Sequence, residues 1–136
     1  NRNLFVLDIA SKAVSIAANS KVNEISDYSW SPDSDWLIYS KPGKTKNDVI
    51  YAYRLSNGEN LQLTSGFYRD KYPVISNDSK YLFYVSSRNF APEYSQYDAT
   101  WIYTNADVIM ASPLQKSTPS IVAPRNDVEK PDIKKE

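Results

Sequence analysis

Apolar positions along this chain fall in short runs, some continuous and some alternating with polar ones, set between polar clusters. Runs of four to seven residues rich in Val, Ile, Tyr, Phe and Trp are separated by clusters of Ser, Asn, Asp, Pro and Gly. That is the form taken by β-strands joined by tight turns. No helix-length window repeats apolar residues at i, i+3, i+4 and i+7, so an all-β fold is expected.

The runs recur. Trp30-Ser31-Pro32-Asp33-Ser34-Asp35-Trp36-Leu37-Ile38-Tyr39-Ser40 aligns with Ile75-Ser76-Asn77-Asp78-Ser79-Lys80-Tyr81-Leu82-Phe83-Tyr84-Val85 at an offset of 45 positions. Leu4-Phe5-Val6-Leu7-Asp8-Ile9 aligns with Ile50-Tyr51-Ala52-Tyr53-Arg54-Leu55 at an offset of 46, and a third copy stands at Val108-Ile109-Met110-Ala111-Ser112-Pro113-Leu114. The same segments in the same order form an internal repeat. Its turns are explicit. Pro32 fixes φ, and Asp33, like Asp78 in the second copy, is placed to bond the backbone beyond it. Pro32, Asp33 and Asp78 therefore read as structural turn residues. Ser34 and Ser79 occupy a position that Gly would ease, so mild strain is expected there. Ser56-Asn57-Gly58-Glu59 tolerates positive φ and suits a hairpin.

The strands are of two kinds. Positions 36–39, 81–85 and 4–7 are apolar on consecutive residues, as in strands covered on both faces. Val14-Ser15-Ile16 and Leu61-Gln62-Leu63 alternate, as in strands wetted on one face. Doubly covered middle strands beside a half-wet outer strand are what a propeller blade requires. The expected organisation is a partial β-propeller of about two and a half four-stranded antiparallel blades. Residues 1–20 carry the last two strands of one blade, 21–65 a full blade, and 66–124 a second full blade. Such repeats bury their faces only against neighbours, and closed rings take about 4–8 blades. A fragment of a larger chain is expected. Residues 125–136 carry eight charges in twelve positions and read as a solvated linker.

Composition narrows the chemistry. The chain has 136 residues, and its 16 basic residues balance 16 acidic ones, which gives no call for nucleic acid or an anionic membrane surface. There is no cysteine and no histidine. Ser–His–Asp and Cys–His catalysis, Cys-based metal sites and His-containing metal sites are thereby excluded within these residues. No apolar run approaches the roughly 20 residues of a membrane span. No basic-then-apolar leader stands at positions 1–10.

The turn Trp30-Ser31-Pro32-Asp33-Ser34 followed by Trp36-Leu37-Ile38-Tyr39-Ser40 resembles the repeat of TolB-like and tricorn-type β-propellers. A more specific series is Ser86-Ser87-Arg88-Asn89-Phe90-Ala91-Pro92-Glu93-Tyr94-Ser95, then an aromatic stretch, then Val108-Ile109-Met110 and Pro119-Ser120-Ile121-Val122-Ala123-Pro124-Arg125-Asn126-Asp127. This series is similar to a propeller of the bacterial tricorn-type serine peptidases, ahead of their PDZ and peptidase domains. The resemblance implies a non-catalytic part, which scaffolds the protease and filters or channels peptides. It implies no cofactor, and as partners the remaining blades and the PDZ and peptidase domains of the parent chain. The periplasm or secretion is the compartment it suggests, the cytoplasm being the alternative. The other readings are a TolB-like protein-binding propeller without a peptidase, and the propeller of a prolyl-oligopeptidase-type enzyme.

The candidate contact residues lie in an insertion at 89–105, longer than the corresponding connection at 41–48. It carries Phe90, Tyr94, Tyr97, Trp101 and Tyr103. Long insertions are often functional, and aromatics are enriched at interfaces. These rings line a peptide groove, dock on another domain, or fold over their own blade, the packed readings being favoured for large aromatics. Asp33-Ser34-Asp35 and Asp78 lack the further carboxylates and Gly of a calcium loop. No carboxylate pair stands out for glycosidase chemistry. Lys41, Lys44 and Lys46 lack interleaved aromatics and read as a solvated loop. Arg88 is expected to pair with a carboxylate that the sequence does not single out. Open end blades should expose apolar faces and favour self-association.

Overall fold

The structure, a computed structural model, describes residues 2–25 and 27–122. Among these residues the chain forms strands and turns only. The strands are β1 (Asn3–Leu7), β2 (Val14–Asn19), β3 (Tyr28–Trp30), β4 (Trp36–Pro42), β5 (Asp48–Arg54), β6 (Asn60–Gln62), β7 (Asp70–Ile75), β8 (Tyr81–Ser87), β9 (Pro92–Tyr94), β10 (Trp101–Tyr103) and β11 (Asp107–Pro113). All pairings are antiparallel.

They assemble as successive sheets: β1-β2, then the four-stranded meander β3-β4-β5-β6, then β7-β8-β11, with β9-β10 as a separate ribbon between β8 and β11. The period of two explains how the sheets stack. On β4, Leu37 and Tyr39 point to one side and pack with Leu4, Ala17, Ala18 and Ile25 of the first sheet's region. Ile38 points to the other side, with Ile50 and Ala52, and packs against Leu82 and Tyr84 of the third sheet. One strand therefore supplies both inter-sheet cores, because successive side chains face opposite ways. Tyr39 and Ile50 are fully buried. The result is a partial β-propeller, its middle blade covered on both faces.

One expectation needs correction. Positions 4–7 and 81–85 are not covered on both faces as 36–39 are. On β1, Leu4 is buried while Phe5 and Leu7 are exposed. On β8, Leu82 and Tyr84 are buried, whereas the alternate residues Tyr81, Phe83 and Val85 are only partly so. Both strands belong to end blades, and among the described residues no further sheet lies on their outer sides, which leaves the second apolar set uncovered. The insertion at 89–105 forms the ribbon β9-β10. The third sheet has three strands among the described residues. The expected end of that blade at 123–124 and the linker 125–136 lie outside them.

The repeated turns have matching backbones. Ser34 and Ser79 both adopt left-handed φ, 60° and 56°. In each turn the serine opening it bonds across the loop: Ser31 N–H donates to the Trp36 carbonyl, and Ser76 N–H to the Tyr81 carbonyl, both at 2.9 Å.

Candidate functional site

Antiparallel order places the β4–β5 and β6–β7 connections, and the root of the ribbon, at one end of the blades. Short-range packing draws these segments together. Thr45 Oγ1 and Asn47 Nδ2 donate to the Gly66 carbonyl at 2.8 and 3.1 Å, and Asn47 Nδ2 also reaches the Phe67 carbonyl at 3.0 Å. Gly66 has φ +79°, and a Cβ there would stand 2.8 Å from Val49 Cγ2, so only glycine fits. The Asp48 carboxylate faces Arg69 at 3.8 Å and Lys71 at 3.6 Å. A cleft of about 260 Å³ lies here, lined by Asn47, Phe67, Tyr68, Arg69 and Ser87.

Below this surface sits a buried polar cluster. Asp70 is 2% exposed and Ser86 is fully buried. Ser86 Oγ donates to Asp70 Oδ1 at 2.5 Å, while Arg88 Nε donates to Ser86 Oγ at 2.8 Å and its Nη2 lies 3.4 Å from Asp70. The guanidinium stacks over Tyr68 at 4.7 Å and Tyr84 at 5.9 Å. Asp70 is thus the carboxylate that Arg88 meets. The middle blade has a matching serine–aspartate clasp: Ser40 Oγ donates to Asp27 Oδ2 at 2.9 Å. In both, an acid at the start of the first strand ties down the end of the second. The hydroxyl of Ser86 is sealed and its acceptor is shared with a cation, so the cluster holds backbone rather than activating a nucleophile.

The ribbon places the five predicted contact residues. Its pairing is Tyr94 with Trp101, Glu93 with Ile102 and Pro92 with Tyr103. Alternation puts Pro92, Tyr94, Trp101 and Tyr103 on one face, with Phe90 continuing it. Tyr94 and Trp101 meet edge to face at 5.5 Å, and Phe90 and Tyr103 meet tilted at 41° with centroids 5.8 Å apart. These four rings remain 79% (Phe90), 56% (Tyr94), 58% (Trp101) and 59% (Tyr103) exposed. They contact one another and are not folded away under their own blade. Tyr97 stands apart in the tip turn, fully exposed.

Pro32, Asp33 and Asp78 lie at the opposite end of the strands. Asp33 Oδ1 accepts from the Ser31 hydroxyl and, at 3.2 Å, from the Asp35 N–H. Asp78 Oδ1 accepts from the Ser76 hydroxyl at 2.6 Å and the Lys80 N–H at 3.2 Å. Those hydroxyls, and then the backbone N–H groups, hold both carboxyls below the usual 3.8. Asp35, between them in function, takes Arg54 Nε at 2.7 Å and the Ser56 N–H at 3.1 Å.

Sequence reasoning missed two groups. The Asp27–Ser40 and Asp70–Ser86 clasps escaped the repeat because neither pair of partners keeps the 45-residue offset of the turns: the aspartates stand 43 apart and the serines 46, with a bulge in β7 between Lys71 and Val74 contributing to the shift. Lys41 is not simply a solvated loop residue. Its ammonium lies 4.8 Å from the Tyr51 ring centre and donates to the Asn19 carbonyl at 3.2 Å, and burial lowers its pKa. It bridges the first and middle blades. Among the described residues, no group of three or more Asp or Glu side chains is arranged to hold a metal ion.

No protein-family model matches the chain. A protein of Streptomyces coelicolor described as a tricorn protease homolog (homolog 2) is 31% identical over 101 residues, 71% of this chain and 8% of that protein. The tricorn protease of Thermoplasma volcanium is 25% identical over 122 residues, 85% of this chain and 12% of that protein. The chain therefore spans about a tenth of the length of these relatives. A crystal structure of the tricorn protease superposes with a TM-score of 0.80 over 95% of this chain and 13% of its own, at 20% identity. Blade stacking, the repeated Ser–Asp turns and this likeness agree: the chain is a segment of a tricorn-type β-propeller.

Proposed function

We propose that this segment is a non-catalytic part of a tricorn-like serine peptidase, scaffolding the protease and guiding peptides towards an active site carried elsewhere in the parent chain. The observation that carries this reading is the match to tricorn proteases across the blades themselves. The chemistry of the segment supports it. Its most deeply buried serine, Ser86, is locked to Asp70 and Arg88, and a chain without histidine offers no imidazole base. The loop end, with its cleft and the exposed rings of the ribbon, is the surface on which peptides would be guided.

The test is the reading frame of the parent downstream of residue 136. A PDZ domain followed by a serine peptidase region is expected. An α/β-hydrolase domain, or a frame that encodes no catalytic domain, contradicts the proposal and favours a prolyl-oligopeptidase-type or TolB-like parent.

A further inference from the structure

We infer that the β9-β10 ribbon is a self-association arm, which pairs the free edge of β10 with β10 of a second copy of this chain. The argument begins with the phase of its hydrogen bonds. The Asn89 N–H donates to the Ala106 carbonyl at 3.0 Å, and the Ser95 N–H to the Thr100 carbonyl at 2.9 Å. Both pairs share the register of Tyr94 with Trp101. Alternation then makes Glu93 and Ile102 the inward-bonding pair, and turns the backbone groups of Pro92, Tyr94, Trp101 and Tyr103 outward.

The two outer edges differ in consequence. On β9, position 92 is proline and has no N–H to offer, which blunts that edge. On β10, Trp101 and Tyr103 present free N–H and C=O groups, and Trp-Ile-Tyr holds no charge and no proline. Of the devices that protect exposed strands, this edge has short length, three residues, and no charge, proline or bulge.

The edge is complementary to itself. Two β10 strands related by a two-fold axis through Ile102 set Trp101 opposite the partner's Tyr103, and Tyr103 opposite the partner's Trp101. Each is a position whose hydrogen-bonding groups point outward, so both ends of the pairing close. Ile102 then faces the partner's Ile102 at the close, non-bonded spacing. A two-stranded ribbon is marginal alone, whereas a sheet of four strands with one aromatic face is viable. With no charge on either edge, two copies meet without repulsion. The contact is small beside the roughly 800 Å² per partner of a standard interface, so the pairing is weak and reversible. The uncovered faces of the end blades play no part in it.

The chain has no cysteine, which allows a direct test. Ile102→Cys should form a covalent dimer under mild oxidation, because Cα atoms at the close spacing lie within disulfide range. Glu93→Cys, on the same face but one strand inward, should not. Adding Tyr103→Pro to Ile102→Cys removes an outward N–H and leaves the ribbon's own bonds intact, and it should cut dimer yield at least tenfold. Circular dichroism of each variant checks the fold. Failure of Ile102→Cys to cross-link at about 100 µM chain, including the case where an added extended apolar peptide occupies the edge instead, overturns the inference. So does equal cross-linking from both cysteines, the result expected of association through blade faces.

Discussion

Asn60 joins two blades through Tyr39: the Tyr39 hydroxyl donates to Asn60 Oδ1 at 3.0 Å and accepts from Asn60 Nδ2 at 2.8 Å, while Nδ2 also donates to the Ala17 carbonyl at 3.1 Å. Asn60 stands on the outer strand of the middle blade, Tyr39 in its fully buried centre, and Ala17 in the first blade. Burial raises the pKa of the Tyr39 hydroxyl, so it stays protonated and keeps its role as donor. Replacing Asn60 by Ala leaves that hydroxyl buried without its partner. The expected cost is about 1–3 kcal/mol, read as a lower urea midpoint. Asn60→Ala in a Tyr39→Phe background should cost clearly less, and an undiminished loss there would show that the bond is not the cause.

Asp70 is a second point of leverage. Asp70→Ala strands the sealed Ser86 hydroxyl and leaves the Arg88 guanidinium without its carboxylate. A loss of about 3 kcal/mol is expected. Ser86→Ala removes one bond while Asp70 keeps the arginine, and should cost nearer 1 kcal/mol. Denaturant titrations of the two variants give the ranking, and the reverse order would remove Asp70 from the centre of the cluster.

Ser34 and Ser79 hold left-handed backbone that favours glycine. Ser34→Gly and Ser79→Gly should each stabilise by roughly 0.5–1 kcal/mol, after allowance for the extra entropy of glycine in the unfolded chain. The turns lie in different blades, so the double variant should show nearly the sum. Thermal midpoints that fall on substitution would mean that the serine side chains contribute more than the strain costs.

Asp33, Asp35 and Asp78 have carboxyls held below the usual 3.8, Asp33 and Asp78 chiefly by the Ser31 and Ser76 hydroxyls and Asp35 chiefly by Arg54. Folded values below unfolded ones give stability that is present above the unfolded value. That stability is lost as pH falls through the folded one. Urea midpoints should be level from about pH 7 to 5 and drop below about pH 4. Asp33→Asn combined with Asp78→Asn should flatten the acid limb, and an unchanged slope would assign the acid sensitivity to other groups.

Much of the fold was legible because one period governed both the strand and its neighbours. The alternation Leu37-Ile38-Tyr39 specifies a strand, and it also sends Ile38 to one adjoining blade and its two neighbours to the other. The paired Ser–Asp turns were legible for the same reason, being repeated at a constant offset. The Asp70–Ser86–Arg88 cluster was not, because the bulge in β7 shifts Asp70 relative to the turn and hides its likeness to Asp27. Coverage of β1 and β8 was not legible, since a consecutive apolar run reports what a strand can bury and not which sheets are at hand to cover it. The aromatic insertion was noticed as a cluster of rings. Its ribbon depends on the pairing of residues 89 and 106 and of 95 and 100, a contact between separated positions that composition does not encode.

Incubating the purified chain with fluorogenic peptides and chromogenic esters tests the central claim most directly. A non-catalytic propeller segment predicts release no faster than in buffer alone, at any chain concentration. Turnover that rises with chain concentration and stays with the chain through successive purification steps would contradict it.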